Sequence, residues 1–424
     1  MKDFGFETLS LHAGAKIDET LSRATPIYRT TSYLFKSTEH AANLFGLKES
    51  GNIYTRIMNP TQDILEQRMA ILEKGKAALA LASGTSAIFY SIINILQAGD
   101  ELISASNLYG GTFTMFNDIL PQFGIKTRFF NPNDISKIKS LINEKTKAIF
   151  IETIGNPSLD VIDIEDVAKI AHENELPLIV DSTFTTPYLL KPIEYGADII
   201  VHSLTKWIGG HGTAIGGIVV DSGNFNWQNK KFPLYTEPDP SYHGIRYAYD
   251  LGDLSKVAFA MRMRLVPLRN LGACISPDNV WMFLQGLETL ALRMERHCYN
   301  ALNVAEFLSA HPNVSWVRYP GLKSDPTYKI ATKYLKKGFG GMVVFGIKGG
   351  LEAGKRFIEK LKLFSHLANV GDAKSLAIHP ATTTHSQLSS EDQIAAGITP
   401  DLIRLSIGIE TIDDIIEDLD NALS

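Results

Sequence analysis

The sequence predicts an α/β fold, with a mostly parallel central sheet covered by helices on both faces and a smaller C-terminal α+β domain. Three observations carry this. Short apolar runs recur at 101–104, 148–152, 176–181, 198–202 and 216–221, separated by helical segments such as 164–174, and alternation at this spacing implies parallel strands joined by helical crossovers. The pattern changes after residue 277 to a long helical stretch followed by strands near 342–347 and 402–409 and helices near 351–362 and 412–422. The chain has 424 residues and 45% apolar content, enough to bury a core of that size.

In chain order, residues 1–58 show no strong period but carry Pro26, Tyr28, Tyr33, Phe35 and Tyr54, which reads as an N-terminal arm that packs on another domain or subunit. Residues 59–277 read as one large domain. It opens with a helix whose N-cap is Asn59, with Pro60 in the first turn, Gln62 as the capping-box partner, a buried stripe of Leu65, Met69 and Leu72, and Gly75 as the stop. A short strand at 78–82 feeds Ser83-Gly84-Thr85-Ser86, and 87–97 continues as an apolar helix. Residues 224–277 lose the period in aromatics, prolines and arginines and read as a long surface excursion. The C-terminal domain, 278–424, opens with a helix running to about 310, where His311-Pro312 breaks it.

Composition excludes several classes. Lys+Arg of 41 against Asp+Glu of 46 gives a net charge of −5 without a basic block, which argues against nucleic acid and anionic membrane as partners. The longest apolar stretch, 87–96, is too short to span a bilayer. The start, MKDFGFETLS, has the character of neither a signal nor a transit peptide. Only two cysteines are present, Cys274 and Cys298, and a reducing cytoplasm suits them. Cys298 lies on the stripe Leu284, Leu287, Ala291, Met294, Cys298, Leu302, where it packs. His202, His211, His379 and His385 show no metal-ligand spacing, so no metal is expected.

The chemistry centres on Val201-His202-Ser203-Leu204-Thr205-Lys206-Trp207 and its glycine-rich continuation, with Asp181 closing a strand 25 residues before Lys206. A lysine just past a buried strand becomes nucleophilic when burial lowers its pKa. Ser203 and Thr205 are placed to bond a phosphate, and Asp181 could pair a protonated pyridine nitrogen. Together these are the protein contacts that pyridoxal 5′-phosphate requires. Gly84 and Thr85 open a helix after a strand, where free amides and the positive dipole end can hold a phosphate, although many βα turns look alike. Arg56 can grip a phosphate with a fork of charge-assisted bonds. Tyr109, before Gly110-Gly111, could stack on the ring or pack in the core. Arg404 is a charge inside an apolar strand, which calls for a partner such as an amino-acid carboxylate.

Taken together, Tyr54-x-Arg56-x-x-Asn59-Pro60-Thr61, Ser83-Gly84-Thr85-Ser86-Ala87, Asp181-x-Thr183 and Ser203-x-Thr205-Lys206 resemble the Cys/Met-metabolism family of pyridoxal phosphate enzymes, of aminotransferase fold type I. The resemblance runs over nearly the whole chain. It implies that Lys206 is the Schiff-base lysine and Asp181 the pyridinium partner, that Tyr109 stacks, and that Gly84, Thr85, Ser203 and Thr205 hold the phosphate. Tyr54 and Arg56 would reach the cofactor of a neighbouring subunit in a homotetramer built as a dimer of dimers. Asn156 and Arg404 would bind the substrate carboxylate, and Tyr54 and Tyr109 are candidates for acid/base assistance.

Within that family, Ala368-Asn369-Val370-Gly371-Asp372, the 379–388 segment and the 235–277 region resemble the O-acetylhomoserine sulfhydrylases, which adds Asn369 to the substrate residues. Methionine γ-lyases carry a cysteine where this chain has Gly111. The implied reaction replaces the acetate of O-acetylhomoserine by a sulfur nucleophile, yielding homocysteine for methionine biosynthesis. Sulfide, a thiol or a sulfur-carrier protein could supply the sulfur. A methionine or cystathionine γ-lyase, or a non-catalytic cofactor-binding protein, are the alternatives.

Overall fold

The computed structural model describes residues 4–383 and 397–424. Seven strands form the large sheet: β1 (Ala77–Leu81), β2 (Glu101–Ala105), β3 (Lys126–Phe130), β4 (Thr146–Glu152), β5 (Leu178–Asp181), β6 (Ile199–Ser203) and β7 (Gly217–Asp221), in the order β1-β7-β6-β5-β4-β2-β3. β3, β2, β4, β5 and β6 run parallel, and β7 is antiparallel to both of its neighbours. Both faces are covered. Ile149, Ile151, Leu178 and Val180 face the helices Pro60–Leu72 and Ile164–Glu173, whereas Ala148, Phe150, Ile179 and Val201 face the helix Gly84–Ile93. Strands buried on both sides read as continuous apolar runs, which is why they stood out in the sequence.

β3 did not stand out. Lys126 and Arg128 interrupt its apolar residues because it is an edge strand, and Arg128 pairs with Glu101 of β2 at 2.5 Å.

The first long helix is capped by Asn59, whose side chain accepts from the Thr61 amide, and Leu65, Met69 and Leu72 are buried as expected. Two details differ. Gln62 does not reach back to the cap; it donates to Glu66 at 2.7 Å, because Glu66 also accepts the Ala80 amide and ties the helix to β1. Lys74, at φ 61°, makes the left-handed turn after the helix, whereas Gly75 is small because a Cβ there would lie 2.4 Å from Val220.

The next helix spans Gly84–Ile93, starting and ending earlier than the apolar run suggests. It starts early because Ser83 caps it by accepting from the Ser86 amide. It stops because the Asn94 carbonyl is taken by Tyr235 at 2.9 Å and by Arg262 at 3.1 Å. Those two residues belong to the 224–277 region, which is no surface excursion: Phe232, Tyr235, Tyr247 and Phe259 are buried there and close one face of the sheet. The expected single helix from 278 is two, Pro277–Glu288 and Leu290–Ala310, broken at Thr289.

The second sheet contains β8 (Val314–Arg318), β9 (Met342–Ile347), β10 (Ser365–His366), β11 (Leu376–Ile378) and β12 (Leu402–Ser406), in the order β10-β11-β12-β9-β8. The helices Gly350–Lys360 and Ile412–Leu423 pack on it with the end of Leu290–Ala310. Cys298 is buried on that long helix, and burial pushes its thiol up to about 12, consistent with a packing role. Ahead of the large sheet, residues 4–58 hold two short helices, Phe6–His12 and Thr38–Phe45. No helix among the described residues is long and apolar enough to cross a membrane.

Candidate active site

β4, β5 and β6 are parallel neighbours, so their carboxyl ends open at one edge of the sheet, where crevices for ligands form. Asp181 ends β5 and Ser203 ends β6. Thr183 joins the two loops: its amide donates to Asp181 Oδ1 at 2.9 Å, and its hydroxyl accepts the Ser203 amide at 2.9 Å. The Asp181 carboxyl has no cation within ion-pair distance among the described residues, and burial pushes its pKa up. An acid held there without a cation suits a protonated ring nitrogen.

Lys206 follows three residues after β6. Burial, and then the charge of Arg404, lower its amine to about 8. The amine donates to Asn369 Oδ1 at 2.5 Å. Asn369 comes from the second sheet's side of the molecule, and the contact is held in place by Gly371. That glycine has φ 78°, and a Cβ on it would lie 2.6 Å from the Trp207 amide, so only glycine lets the two loops close. The loop after Lys206 is gripped from below by Arg293, which donates to the carbonyls of Trp207 at 2.6 Å, Ile208 at 3.1 Å and Gly286 at 2.6 Å. Burial lowers the Arg293 guanidinium to about 10.

Opposite Ser203, the first-turn amides of Gly84 and Thr85 have no intrahelical acceptor. A Cβ on Gly84 would fall 2.6 Å from Ser203 Cβ, so the glycine brings this helix start against the end of β6. Thr205 is engaged differently from the sequence expectation. Its hydroxyl accepts from the Gly216 amide at 3.1 Å and donates to the Gly216 carbonyl at 3.3 Å, and it must release that carbonyl to donate to a phosphate.

Arg404 sits in mid-β12, with Nη1 donating to Asn156 Oδ1 at 3.1 Å; burial lowers it to about 10. Asn156 precedes a cis proline and is nearly buried, with its amide donating to the Asn107 carbonyl at 3.3 Å. Tyr109 is half-exposed, and its ring lies over Gly111, where a Cβ would meet it at 2.6 Å. Its amide donates to Glu152 Oε1 at 2.8 Å.

Lys206, Asn369, Arg404 and Asn156 are therefore linked by contact or charge, and Asp181, Ser203 and Gly84 line the adjoining strand ends. Tyr54 and Arg56 are not linked to them by any hydrogen bond among the described residues. They lie exposed, with the guanidinium 5.2 Å from the tyrosine ring centroid. Glu152 and Arg293 escaped the sequence reading. Glu152 carried the same signal as Asp181, an acid closing an apolar strand, and Arg293 stood as a charge on the buried stripe of its helix. Thr384 to Leu388, including His385, lie outside the described residues. His202 bonds Glu73 at 2.6 Å and His379 bonds the Pro400 carbonyl at 2.9 Å.

The residues fit pyridoxal 5′-phosphate. A depressed lysine amine, a buried acid without a cation and bare amides beside Ser203 answer its aldehyde, ring nitrogen and phosphate respectively.

Comparison with known proteins agrees. The family model described as Cys/Met metabolism PLP-dependent enzyme matches residues 7–424. An O-acetyl-L-homoserine sulfhydrylase of Leptospira meyeri is 54% identical, with 100% of this chain and 97% of that protein covered. A homocysteine synthase of Schizosaccharomyces pombe is 52% identical over 99% of this chain and 98% of its own. A crystal structure of a Campylobacter jejuni protein, provisionally named an O-acetylhomoserine (thiol)-lyase, superposes with a TM-score of 0.95 at 43% identity, covering 99% of this chain and 100% of that one; it holds N′-pyridoxyl-lysine-5′-monophosphate.

Proposed function

Because the chain belongs to the Cys/Met metabolism PLP-dependent enzyme family, with its aminotransferase fold type I, we propose that it is an O-acetylhomoserine sulfhydrylase. It converts O-acetylhomoserine and a sulfur nucleophile, sulfide in the simplest case, into homocysteine and acetate. The observation that carries this reading is full-length similarity to proteins named for that reaction, joined to a lysine amine lowered to about 8 that donates to Asn369 and feels the charge of Arg404.

Pyridoxal phosphate, when bound, supplies an aldehyde for an amine and a ring that accepts the electron pair of a breaking Cα–H bond. The chain does the rest. Asp181 holds the proton on the ring nitrogen, and Tyr109 covers a ring face. Gly84, Thr85, Ser203 and Thr205 hold the phosphate, joined by Tyr54 and Arg56 from a neighbouring subunit. Arg404 and Asn156 fix the substrate carboxylate with charge-assisted bonds, which leaves the side chain free to react. Lys206, a free amine above about pH 8, would take the Cα proton and pass it on before taking a Cβ proton, so that acetate can leave Cγ; once the sulfur nucleophile has added there, the same amine would return protons to Cβ and Cα. Asn369, bonded to the Lys206 amine, orients it between these transfers. Tyr54 and Tyr109 stand as acid/base candidates at the leaving group.

The exposed position of Tyr54 and Arg56 supports a homotetramer built as a dimer of dimers, in which they serve the neighbour's site. Two scarce, unpaired cysteines support a cytoplasmic setting, where a sulfur-carrier protein is a further possible donor. The domain division at 58 and 277 belongs to the same reading.

The test is to mix the holoprotein with O-acetylhomoserine and sulfide and to measure homocysteine against 2-oxobutanoate. Homocysteine as the main product supports the reading, whereas 2-oxobutanoate with ammonia would make the chain a γ-lyase.

A further inference from the structure

Glu152 closes β4, the strand that lies between β5 and β2 in the sheet. On one side its register partner is Asp181. On the other, its Oε1 accepts the Tyr109 amide at 2.8 Å, four residues past the end of β2. It is 7% exposed, and no cation lies within ion-pair distance of it among the described residues. Neither the phosphate cradle nor the substrate residues use it.

We propose that Glu152 is a positioning residue: it clamps the amide of Tyr109 and so fixes the Tyr109 ring relative to the Asp181 carboxyl, setting the two faces between which the cofactor ring is held. The inference rests on the proposed cofactor reading and concerns this chain's own residues.

Three features support it. The Tyr109 ring has little else to hold it, being half-exposed and resting on Gly111, where the absent Cβ makes room for the ring edge. The Asn107 and Tyr109 carbonyls anchor the backbone on either side of this turn, accepting from Asn156 and from Thr112 and Phe113, and the bond to Glu152 is what sets the Tyr109 amide between them. Next, Glu152 joins by one hydrogen bond and one strand pairing the only two elements that bear the stacking ring and the ring-nitrogen acid. Finally, a buried carboxyl and a partly buried one paired on adjacent strands do not both carry charge readily. Burial first, and the Asp181 charge second, push Glu152 well above the usual carboxylate range, opposed only by the Tyr109 amide. Glu152 is pushed up further than Asp181, which favours the negative charge on Asp181, where it can hold a ring proton. The clamp needs an acceptor oxygen at the right reach and no charge.

That separates two substitutions. Glu152→Gln keeps the length and an uncharged acceptor oxygen. Glu152→Asp keeps the acid but withdraws the oxygen by one methylene. Apoproteins are titrated with pyridoxal phosphate, reading the visible absorbance for affinity and the visible circular dichroism for ring orientation, with apoprotein melting followed in parallel.

Glu152→Gln should hold affinity within about threefold of wild type with the dichroic band intact. Glu152→Asp should bind about tenfold more weakly, the effect of losing one ordering hydrogen bond, and its dichroic band should shrink. A dichroic band and affinity unchanged in Glu152→Asp would overturn the proposal, leaving the cofactor reading intact. So would a Glu152→Gln protein as impaired as Glu152→Asp, since charge and not the clamp would then matter. Wild-type protein that takes up no pyridoxal phosphate would overturn both.

Discussion

Replacing Arg404 by Met should move activity and stability in opposite directions. Its guanidinium donates to the Asn156 side-chain oxygen at 3.1 Å, with no carboxylate in ion-pair reach among the described residues. Holding the charge in that position lowers its pKa from 12.5 to about 10, a cost on the order of 3 kcal/mol that solvent in the cleft partly screens. Methionine has similar length and no charge, so the cofactor-free variant should be more stable by about 1–2 kcal/mol. If Arg404 receives the substrate carboxylate as proposed, the same change removes a fork of two charge-assisted bonds, each worth about 1.5–3 kcal/mol. Together they amount to roughly 3–6 kcal/mol, or about a hundredfold to ten-thousandfold in kcat/KM. Arg404→Lys, which keeps a point charge without the fork, should recover only part of it. Steady-state kinetics with O-acetylhomoserine and denaturant unfolding of the apoprotein measure both arms. A variant whose kcat/KM stays within tenfold, or one that loses stability along with activity, would show that Arg404 is a structural cation and not a carboxylate receptor.

Three further outcomes are expected. Lys206 is an ammonium below about 8 and a free amine above it, so the rate at which apoprotein captures pyridoxal phosphate should rise roughly tenfold between pH 7 and pH 9; a flat profile in stopped-flow absorbance would contradict the lowered amine. In Gly111→Ala the new Cβ meets the Tyr109 ring at 2.6 Å, so the ring must tilt: the visible dichroism of the holoprotein should change while the melting temperature of the apoprotein barely moves, and an unaltered band would mean the ring sits elsewhere. Arg293→Met leaves the Trp207 and Ile208 carbonyls without their donor and should destabilise the protein by on the order of 3–5 kcal/mol; an unchanged unfolding midpoint would refute the grip on the Lys206 loop.

What could be read from the chain alone follows a physical divide. Strands buried on both faces announce themselves as apolar runs, and a polar residue at the end of such a run is conspicuous, which is why Asp181 and Ser203 stood out at the strand ends where the structure places them, with Lys206 three residues on. Features set by contacts far apart in sequence were hidden. The helix from Gly84 ends where it does because Tyr235 and Arg262 claim the Asn94 carbonyl, over a hundred residues away. β3 carries the charges of an edge, and an edge has no continuous apolar signature. Likewise the aromatics of 224–277 lack a period because they fill a face of the sheet from irregular backbone, which resembles a surface loop in sequence and is the opposite in space. Glu152 could have been found by the rule that found Asp181.

The contact of Gly371 with Trp207 bears on how such a protein can be re-engineered. Asn369 and Lys206 come from opposite sides of the cleft, yet their loops are interlocked at a point where no side chain larger than hydrogen fits. A chimera that takes the segment around 369–372 from one relative and the segment around 206–210 from another must therefore match them as a pair. Transplanting either one singly would jam the seam between them and misplace the Lys206 amine.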